Sequence, residues 1–380
     1  MFEFRIVPKI IFGPGSIDKT AEELRALGGN RILIVTDKGL MKTDLVKKLI
    51  DSLKGLDLAV FDGVEPNPRD KDVENGLRIL KEKNCDLVVG IGGGSPMDVA
   101  KIIAAMATNP GNLWEYRGID KFKFPSLPLL LIPTTAGTGS EVSRAAMITA
   151  SEEKKKTLFL SWHLTARTAI LDPELTLKLP PSITIWSGMD ALSHAIESYV
   201  SKMANPLTDM YAENAIALIV NNIEKAAKNG NEIENRSNML LGSLLAGIAT
   251  ANARLGNVHG LAHAIGGKYD LPHGLLCGAL LPVVMWHNLK FCVEKLRKIA
   301  AILGEDVSHL SPEKGAKRAV ELIKELGKKL GLPEKLEDIG VKNEDIAELI
   351  EKTDIIPSNP RPTSKEELID LYRMAITGSF

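Results

Sequence analysis

Glutamine is absent from all 380 residues. Amide side chains are thermolabile, so the omission points to a thermophile. Cysteine is scarce as well: Cys85, Cys277 and Cys292 form an odd set with no CxxC spacing. They frame neither a disulfide scaffold nor a thiolate zinc site, and a reducing cytoplasm is the expected home. There is no surplus of either charge, 47 basic residues standing against 48 acidic ones for a net charge of -1. A nucleic-acid binder needs a basic excess to displace counterions, so no nucleic-acid partner is expected. The opening Met1-Phe2-Glu3-Phe4-Arg5 lacks the basic and apolar regions of a signal peptide. The longest apolar stretch, Met239 to Ala253, is too short and too rich in Gly, Ser and Thr to span a bilayer, so no membrane is expected.

With 44% hydrophobic and 25% charged residues the chain reads as globular. Its length suggests about two domains of roughly 150 residues each. The first 175 residues alternate short apolar runs with helical patterns. Residues 31–36, 57–61, 86–91 and 129–132 read as strands, and helices pass through Leu45, Leu49 and Leu53 and through Val73, Leu77 and Leu80. Continuous apolar runs between helices are the pattern of parallel strands covered on both faces. After Leu179-Pro180-Pro181 no convincing strand follows. Ser311-Pro312 starts a helix that Gly331 and Pro333 stop, and Thr363 with Glu366 has capping-box spacing ahead of Leu368, Leu371 and Tyr372. The expected organisation is an α/β parallel-sheet domain over residues 1–180 and an all-helical domain over residues 181–380.

The third strand runs into Gly92-Gly93-Gly94-Ser95-Pro96, with Asp98 just beyond. Glycines let the backbone approach a pyrophosphate, and Pro96 after Ser95 opens a helix whose free N–H groups face the anion. The run is not G-x-G-x-x-G, because Ser95 replaces the third glycine. A second small-residue loop, Thr134-Thr135-Ala136-Gly137-Thr138-Gly139-Ser140, follows the fourth strand. Two such loops at strand ends favour a nucleotide over a pair of plain turns. Asp37, closing the first strand, either accepts ribose hydroxyls, which favours NAD over NADP, or caps a helix.

The seven histidines are unevenly spread. Asp190 and His194 stand at i, i+4, as do His259 and His263, and His273 follows ten residues later. Each pair shares a face of an apolar helix. Ionisable groups on apolar faces need partners, and one divalent metal satisfies several at once. Asp190, His194, His259, His263 and His273 together therefore point to a metal centre. No His-Glu-x-x-His occurs, which removes the metalloprotease arrangement. His163, His287 and His309 read as structural.

Gly92-Gly93-Gly94-Ser95 with Asp98, Thr134-Thr135 through Ser140-Glu141-Val142, Gly188-Met189-Asp190-Ala191-Leu192 with His194-Ala195-Ile196-Glu197, Val258-His259-Gly260-Leu261-Ala262-His263, Pro272-His273-Gly274 and Asn359-Pro360-Arg361-Pro362-Thr363 resemble, in this order, the iron-containing (group III) alcohol dehydrogenases. The likeness runs over essentially the whole chain. It implies a Rossmann-like domain followed by an all-helical metal-binding domain, an architecture similar to that of dehydroquinate synthase. It also implies Asp190, His194, His259 and His273 as the metal ligands and His263 as a residue lining the site beside the nicotinamide. Gly93, Gly94, Ser95 and Asp98 would hold the pyrophosphate, and Thr134, Thr135 and Thr138 would support the cofactor. Asp37 would sit by the adenosine ribose, and Asn67 and Lys156 would be further cofactor contacts. Lys268 and Gly278 depart from the family pattern, which bears on substrate size.

The expected chemistry is reversible hydride transfer between nicotinamide and a small primary alcohol or aldehyde, with NAD preferred to NADP. Three imidazoles and a carboxylate suit Fe(II), and Zn(II) takes the same donors. His263 is the expected proton relay. A homodimer or higher homo-oligomer, built through an edge strand from residues 2–12, is the expected assembly. The rival enzymes are a dehydroquinate synthase-like lyase acting on a sugar phosphate and a glycerol dehydrogenase-like polyol enzyme. A non-catalytic nucleotide-binding module is the third alternative.

Overall fold

The apolar runs of the first half form strands whose alternate side chains feed two separate cores. The computed structural model describes residues 1–6, 8–152 and 155–380. Its strands are β1 (Lys9–Phe12), β2 (Arg31–Val35), β3 (Asp57–Phe61), β4 (Leu87–Gly92), β5 (Gly118–Ile119), β6 (Leu129–Pro133), β7 (Ala145–Ala150), β8 (Lys155–Leu160) and β9 (Thr168–Leu171). Six of them make one wholly parallel sheet in the order β1-β9-β6-β4-β2-β3. The helices of this half are α1 (Thr20–Ala26), α2 (Lys38–Met41), α3 (Asp44–Ser52), α4 (Asp70–Glu82) and α5 (Gly94–Met106). Leu33, Val35, Val88 and Leu131 pack with Val73 of α4 and with Met97 and Ile103 of α5 on one face. Ile32, Ile34, Val89 and Ile132 pack with Leu24 of α1 and with Val46 and Leu49 of α3 on the other. Period-two alternation onto two apolar layers is why these strands carry no polar face. The layering is Rossmann-like.

Four strands escape the sequence pattern, whereas β1 falls within the edge strand expected over residues 2–12. β5 and β9 are four residues or fewer. β7 and β8 form an antiparallel hairpin, joined by β5 into a second sheet of three strands. Alternate residues of β7 are half-buried, so no continuous apolar run marks it.

After Leu171 the described residues hold no further strand. The helices are α6 (Pro181–Val200), α7 (Pro206–Lys228), α8 (Ile233–Ala253), α9 (Asn257–Tyr269), α10 (His273–Asn288), α11 (Val293–Ile302), α12 (Pro312–Lys329), α13 (Ile346–Lys352) and α14 (Lys365–Thr377). Arg5–Leu179 with Asn231–Leu240 make one compact unit; Met1–Phe4, Pro180–Gly230 and Leu241–Phe380 make the other. Ser311 caps α12 as its sequence requires, accepting from the Lys314 N–H at 3.3 Å. The cap of α14 differs from the expectation by one residue: Ser364 and Glu367 form the capping box, not Thr363 and Glu366. The Thr363 hydroxyl is engaged elsewhere, accepting from Asn257 Nδ2 at 2.9 Å and donating to the Arg361 carbonyl. One stretch, His273–Phe291, is long and apolar enough to cross a membrane, yet 72% of it is buried inside the protein, as befits a core helix.

Candidate functional site

Three helices of the second unit carry the metal-type donors. α6 starts with Pro181 at its first position and runs buried from Gly188 to Val200, so Asp190 and His194 project one turn apart from an apolar element. α9 follows Gly256 and presents His259 and His263 with the same spacing. α10 begins at His273 itself, behind Pro272. A Cβ on Gly274 would lie 2.0 Å from the Trp186 carbonyl oxygen. Only glycine lets the start of α10 approach α6 so closely, and that approach brings His273 to Asp190.

The donors converge tightly. Asp190 Oδ1 lies 3.4 Å from His259 Nε2 and 3.6 Å from His273 Nε2. Cys277 Sγ is 3.5 Å from His273 Nε2. One ligand atom from each of Asp190, His259, His273 and Cys277 falls within 4.8 Å of every other. His194 stands outside that foursome but stacks on His259 at 4.5 Å between ring centroids. His263 stacks on His273 at 5.1 Å. Asp190 and His259 are 3% and 2% exposed, whereas His263 is half-buried.

Electrostatics explains what this cluster needs. Burial would raise the Asp190 carboxyl, but the imidazoles of His194, His273 and His259 outweigh it and hold the group well below the usual carboxylate range. Burial would lower His259, yet Cys277, Glu197 and Asp190 outweigh that and raise it well above an ordinary imidazole. Glu197 Oε2 accepts from His259 Nδ1 at 2.6 Å, and Oε1 accepts the Val258 N–H. That pairing leaves Nε2 as the nitrogen facing Asp190. Asp190 Oδ1 and His259 Nε2 have no hydrogen-bond partner although both are buried. A cation between a carboxylate oxygen and an imidazole lone pair removes both deficits, so the donor set fits a divalent metal.

The first unit gathers groups of another kind. β4 ends at Gly92, whose φ of +147° suits glycine, and where a Cβ would meet Pro96 at 2.7 Å. Gly93 is the extended cap before α5, and Gly94 and Ser95 open the helix, so free main-chain N–H groups gather there. The Thr134 N–H donates to the Gly92 carbonyl at 2.9 Å, tying the second loop to the first. The Thr138 hydroxyl accepts from the Ser140 N–H at 3.2 Å. Beneath them both Asp98 oxygens are engaged, Oδ1 by the Ser140 hydroxyl at 2.6 Å and Oδ2 by the Met147 N–H at 2.9 Å. Lys101, fully buried, donates to Ser140 Oγ and to the Ala145 carbonyl.

Two family patterns match this chain: "Iron-containing alcohol dehydrogenase" over residues 8–173 and "Fe-containing alcohol dehydrogenase family, C-terminal" over residues 184–376. The chain belongs to the iron-containing alcohol dehydrogenase family. It is 42% identical to a 1,3-propanediol dehydrogenase of Klebsiella pneumoniae, with 99% of each chain covered. Identity to an NAD-dependent methanol dehydrogenase of Bacillus methanolicus is 40%, covering 99% of this chain and 100% of the relative. A solved 1,3-propanediol oxidoreductase superposes with a TM-score of 0.96 at 41% identity, over 99% of this chain and 100% of that one. As a member of the family the chain is a metal-dependent, NAD(P)-linked oxidoreductase that interconverts alcohols and aldehydes.

Within this member of the iron-containing alcohol dehydrogenase family, the structure distributes the remaining candidate residues plainly. Asp37 caps α2, its Oδ1 accepting the Leu40 N–H at 2.8 Å. Asn67 adopts a left-handed φ of 56° in the loop before α4. Thr135 lies beside Gly93, and Lys156 pairs with Thr149 across the β7–β8 hairpin. His287 is buried against Thr363, and burial with the nearby Arg361 pushes it down to about 4. His309 is on the surface. Sequence reasoning passed over three participants. Glu197 was visible as an acid on a buried apolar face, Cys277 as a residue one turn after His273, and Lys101 as a lysine inside an otherwise apolar helix.

Proposed function

We propose that this enzyme is an NAD-linked, iron-dependent reductase of small aldehydes that also oxidises the matching primary alcohols. The observation that carries the reading is the pair Asp190 Oδ1 and His259 Nε2, buried, 3.4 Å apart and each without a hydrogen-bond partner. Asp190, His194, His259 and His273 are the proposed ligands of Fe(II), and Zn(II) accepts the same atoms. When bound, the metal supplies Lewis acidity toward the substrate oxygen, and the nicotinamide supplies or accepts the hydride. Glu197 holds His259 in the orientation that presents Nε2. His263, half-buried and stacked on His273, takes the alcohol proton during oxidation, passes it to water, and returns it during reduction.

Residues 1–180 serve the cofactor and residues 181–380 the metal. Main-chain N–H groups at Gly93, Gly94 and Ser95 hold the pyrophosphate, with Asp98 steadying the cradle through Ser140 and Met147. Thr134, Thr135 and Thr138 support the cofactor, and Asn67 and Lys156 make further contacts. The charge of Asp37 at the end of β2 accepts ribose hydroxyls and repels a 2′-phosphate, which favours NAD over NADP. Relatives named for 1,3-propanediol and methanol support a small primary alcohol as substrate. A homo-oligomer joined through residues 2–12 draws support from β1 lying at the edge of the sheet and from the exposed Phe2 and Ile6. A cytoplasmic and hot setting draws support from three reduced cysteines and from Arg318, which pairs with Glu305, Glu321 and Glu325.

The test uses protein purified without oxygen, loaded with Fe(II), and mixed with NADH and propanal or lactaldehyde. Metal-dependent loss of NADH absorbance is the expected result. Absence of turnover, with metal and NADH both shown to be bound, would sink the reading.

A further inference from the structure

We propose that Lys101 is a positioning residue for the cofactor: from inside α5 its ammonium fixes the second small-residue loop against the glycine loop that opens the same helix. The inference rests on the reading that these loops hold NAD, and deepens it. α5 is apolar from Val99 to Met106 apart from this one side chain, and Lys101 is 0% exposed. An ammonium is expensive to bury, and apolar side chains of similar volume often replace a buried ion pair without loss of stability. Folding alone therefore gives no reason for a lysine here. Its hydrogen bonds do.

Nζ donates to Ser140 Oγ at 2.7 Å and to the Ala145 carbonyl at 2.8 Å, and Asp98 Oδ1 lies 3.6 Å away. Ser140 ends the second loop and Ala145 starts β7, so one ammonium grips the intervening turn at both ends. The grip reaches the glycine loop through Thr138. The Ser140 N–H donates to the Thr138 hydroxyl at 3.2 Å, and a Cβ on Gly94 would meet Thr138 Cγ2 at 2.8 Å. Gly94 is the first residue of α5, where free main-chain N–H groups gather. A chain of contacts thus runs from Lys101 to Ser140, from Ser140 to Thr138, and from Thr138 to Gly94. Without the ammonium, the Ser140 hydroxyl keeps Asp98 Oδ1 as its acceptor at 2.6 Å. The turn loses its hold on Ala145, however, and Thr138 is no longer held at a set distance from Gly94.

The experiment takes the metal-loaded full chain as wild type, Lys101→Met, Ser140→Ala and the double variant. NADH binding is titrated by fluorescence, and steady-state kinetics are recorded with propanal. Lys101→Met is expected to raise the Kd and KM for NADH about tenfold, the scale of one hydrogen bond from a charged group, with the loss falling on KM rather than on kcat. Bound metal should be unchanged. A merely structural lysine would lower Tm and the active fraction and leave KM for NADH where it is, which would overturn the proposal. If the lysine acts through Ser140, the double variant binds NADH no more weakly than Lys101→Met alone. Additive losses would show that it acts independently of the loop, and would overturn the proposal as well. Should Lys101→Met fail to fold, Ser140→Ala decides, because an unaltered KM for NADH in that variant overturns the bridge. A wild type that binds metal but no NADH would overturn the cofactor reading itself. That outcome is distinct from a wild type and variants that all bind NADH equally well, which would overturn the role of Lys101 alone.

Discussion

Asp190 in the helical unit and Glu141 in the sheet unit are both buried carboxylates, yet their surroundings drive them in opposite directions. Three imidazoles press Asp190 below the usual range, so it stays an anion waiting for a cation. Glu141 is 1% exposed with one oxygen unpartnered, and burial pushes it up to about 7 against the weaker pulls of a main-chain hydrogen bond and of Lys101. One site answers burial with a metal-type donor set, the other with a proton. The same contrast separates the two units as a whole. The loops proposed to hold the cofactor are built from main chain and small residues, their shape fixed by hydrogen bonds such as Thr134 to Gly92 while the N–H groups that open α5 stay free for a ligand. The helical site is built from side chains that three helices leave incomplete. A backbone cradle takes its shape on folding, whereas a cluster of buried titratable side chains carries unmet charge until its ligand arrives.

Removing the anion should break this contrast most strongly. Asp190→Ala is expected to lose bound metal and to lower turnover more than about a thousandfold, since a Lewis acid is worth several kcal/mol of transition-state stabilisation. It should also abolish the stabilisation that metal gives the wild type, about 2.7 kcal/mol when metal stands near a hundred times its Kd, and with it the rise in Tm. Metal content by elemental analysis and a melting curve with and without metal check both. Undiminished metal binding in the variant would mean that the histidines alone suffice.

Glu141 sharpens the comparison through pH. Its folded value lies above its ordinary one, 4.5, so the native state holds a proton that the unfolded chain has released. Stability contributed by that proton is present in full below pH 4.5 and is lost as pH rises through about 7, roughly 3 kcal/mol in all. Glu141→Gln should therefore melt higher than the wild type at pH 8 and close to it at pH 4.5. A melting difference that does not depend on pH would show that Glu141 is ionised throughout.

The smallest effect belongs to the backbone. Gly92→Ala forces a side chain into a φ of +147° and against Pro96. A strained residue of this kind costs on the order of 1–3 kcal/mol. NADH affinity and Tm should fall while metal content stays unchanged, as titration calorimetry and elemental analysis would read. A parallel loss of metal would show that the two sites do not form independently.

Much of this was legible in residue order, and the failures have physical causes. β2, β3, β4 and β6 were readable because burial on both faces leaves uninterrupted apolar runs. β7 was not, because a half-buried hairpin interleaves Ala, Thr and Met. The cap of α14 slipped from Thr363 to Ser364 because a hydroxyl at either position satisfies the local pattern, and tertiary partners such as Asn257, 106 residues away, engage the first. At the metal centre the i, i+4 pairs marked Asp190, His194, His259 and His263. Cys277 was set aside since a lone cysteine without a CxxC partner carries no local signal, and Glu197 stood in a recognised motif without a role.

Residue order by itself determined the elements whose signal is local: helix spacing, caps, the glycine turn before α5 and the class of chemistry its donors perform. Tertiary structure decided which donors meet. Asp190, His259, His273 and Cys277 come from three helices, and their convergence depends on a close approach that Gly274 permits and on Glu197 turning His259. Local spacing reports which face a side chain occupies along one helix, but distances between helices are set by packing, which short-range pattern does not encode.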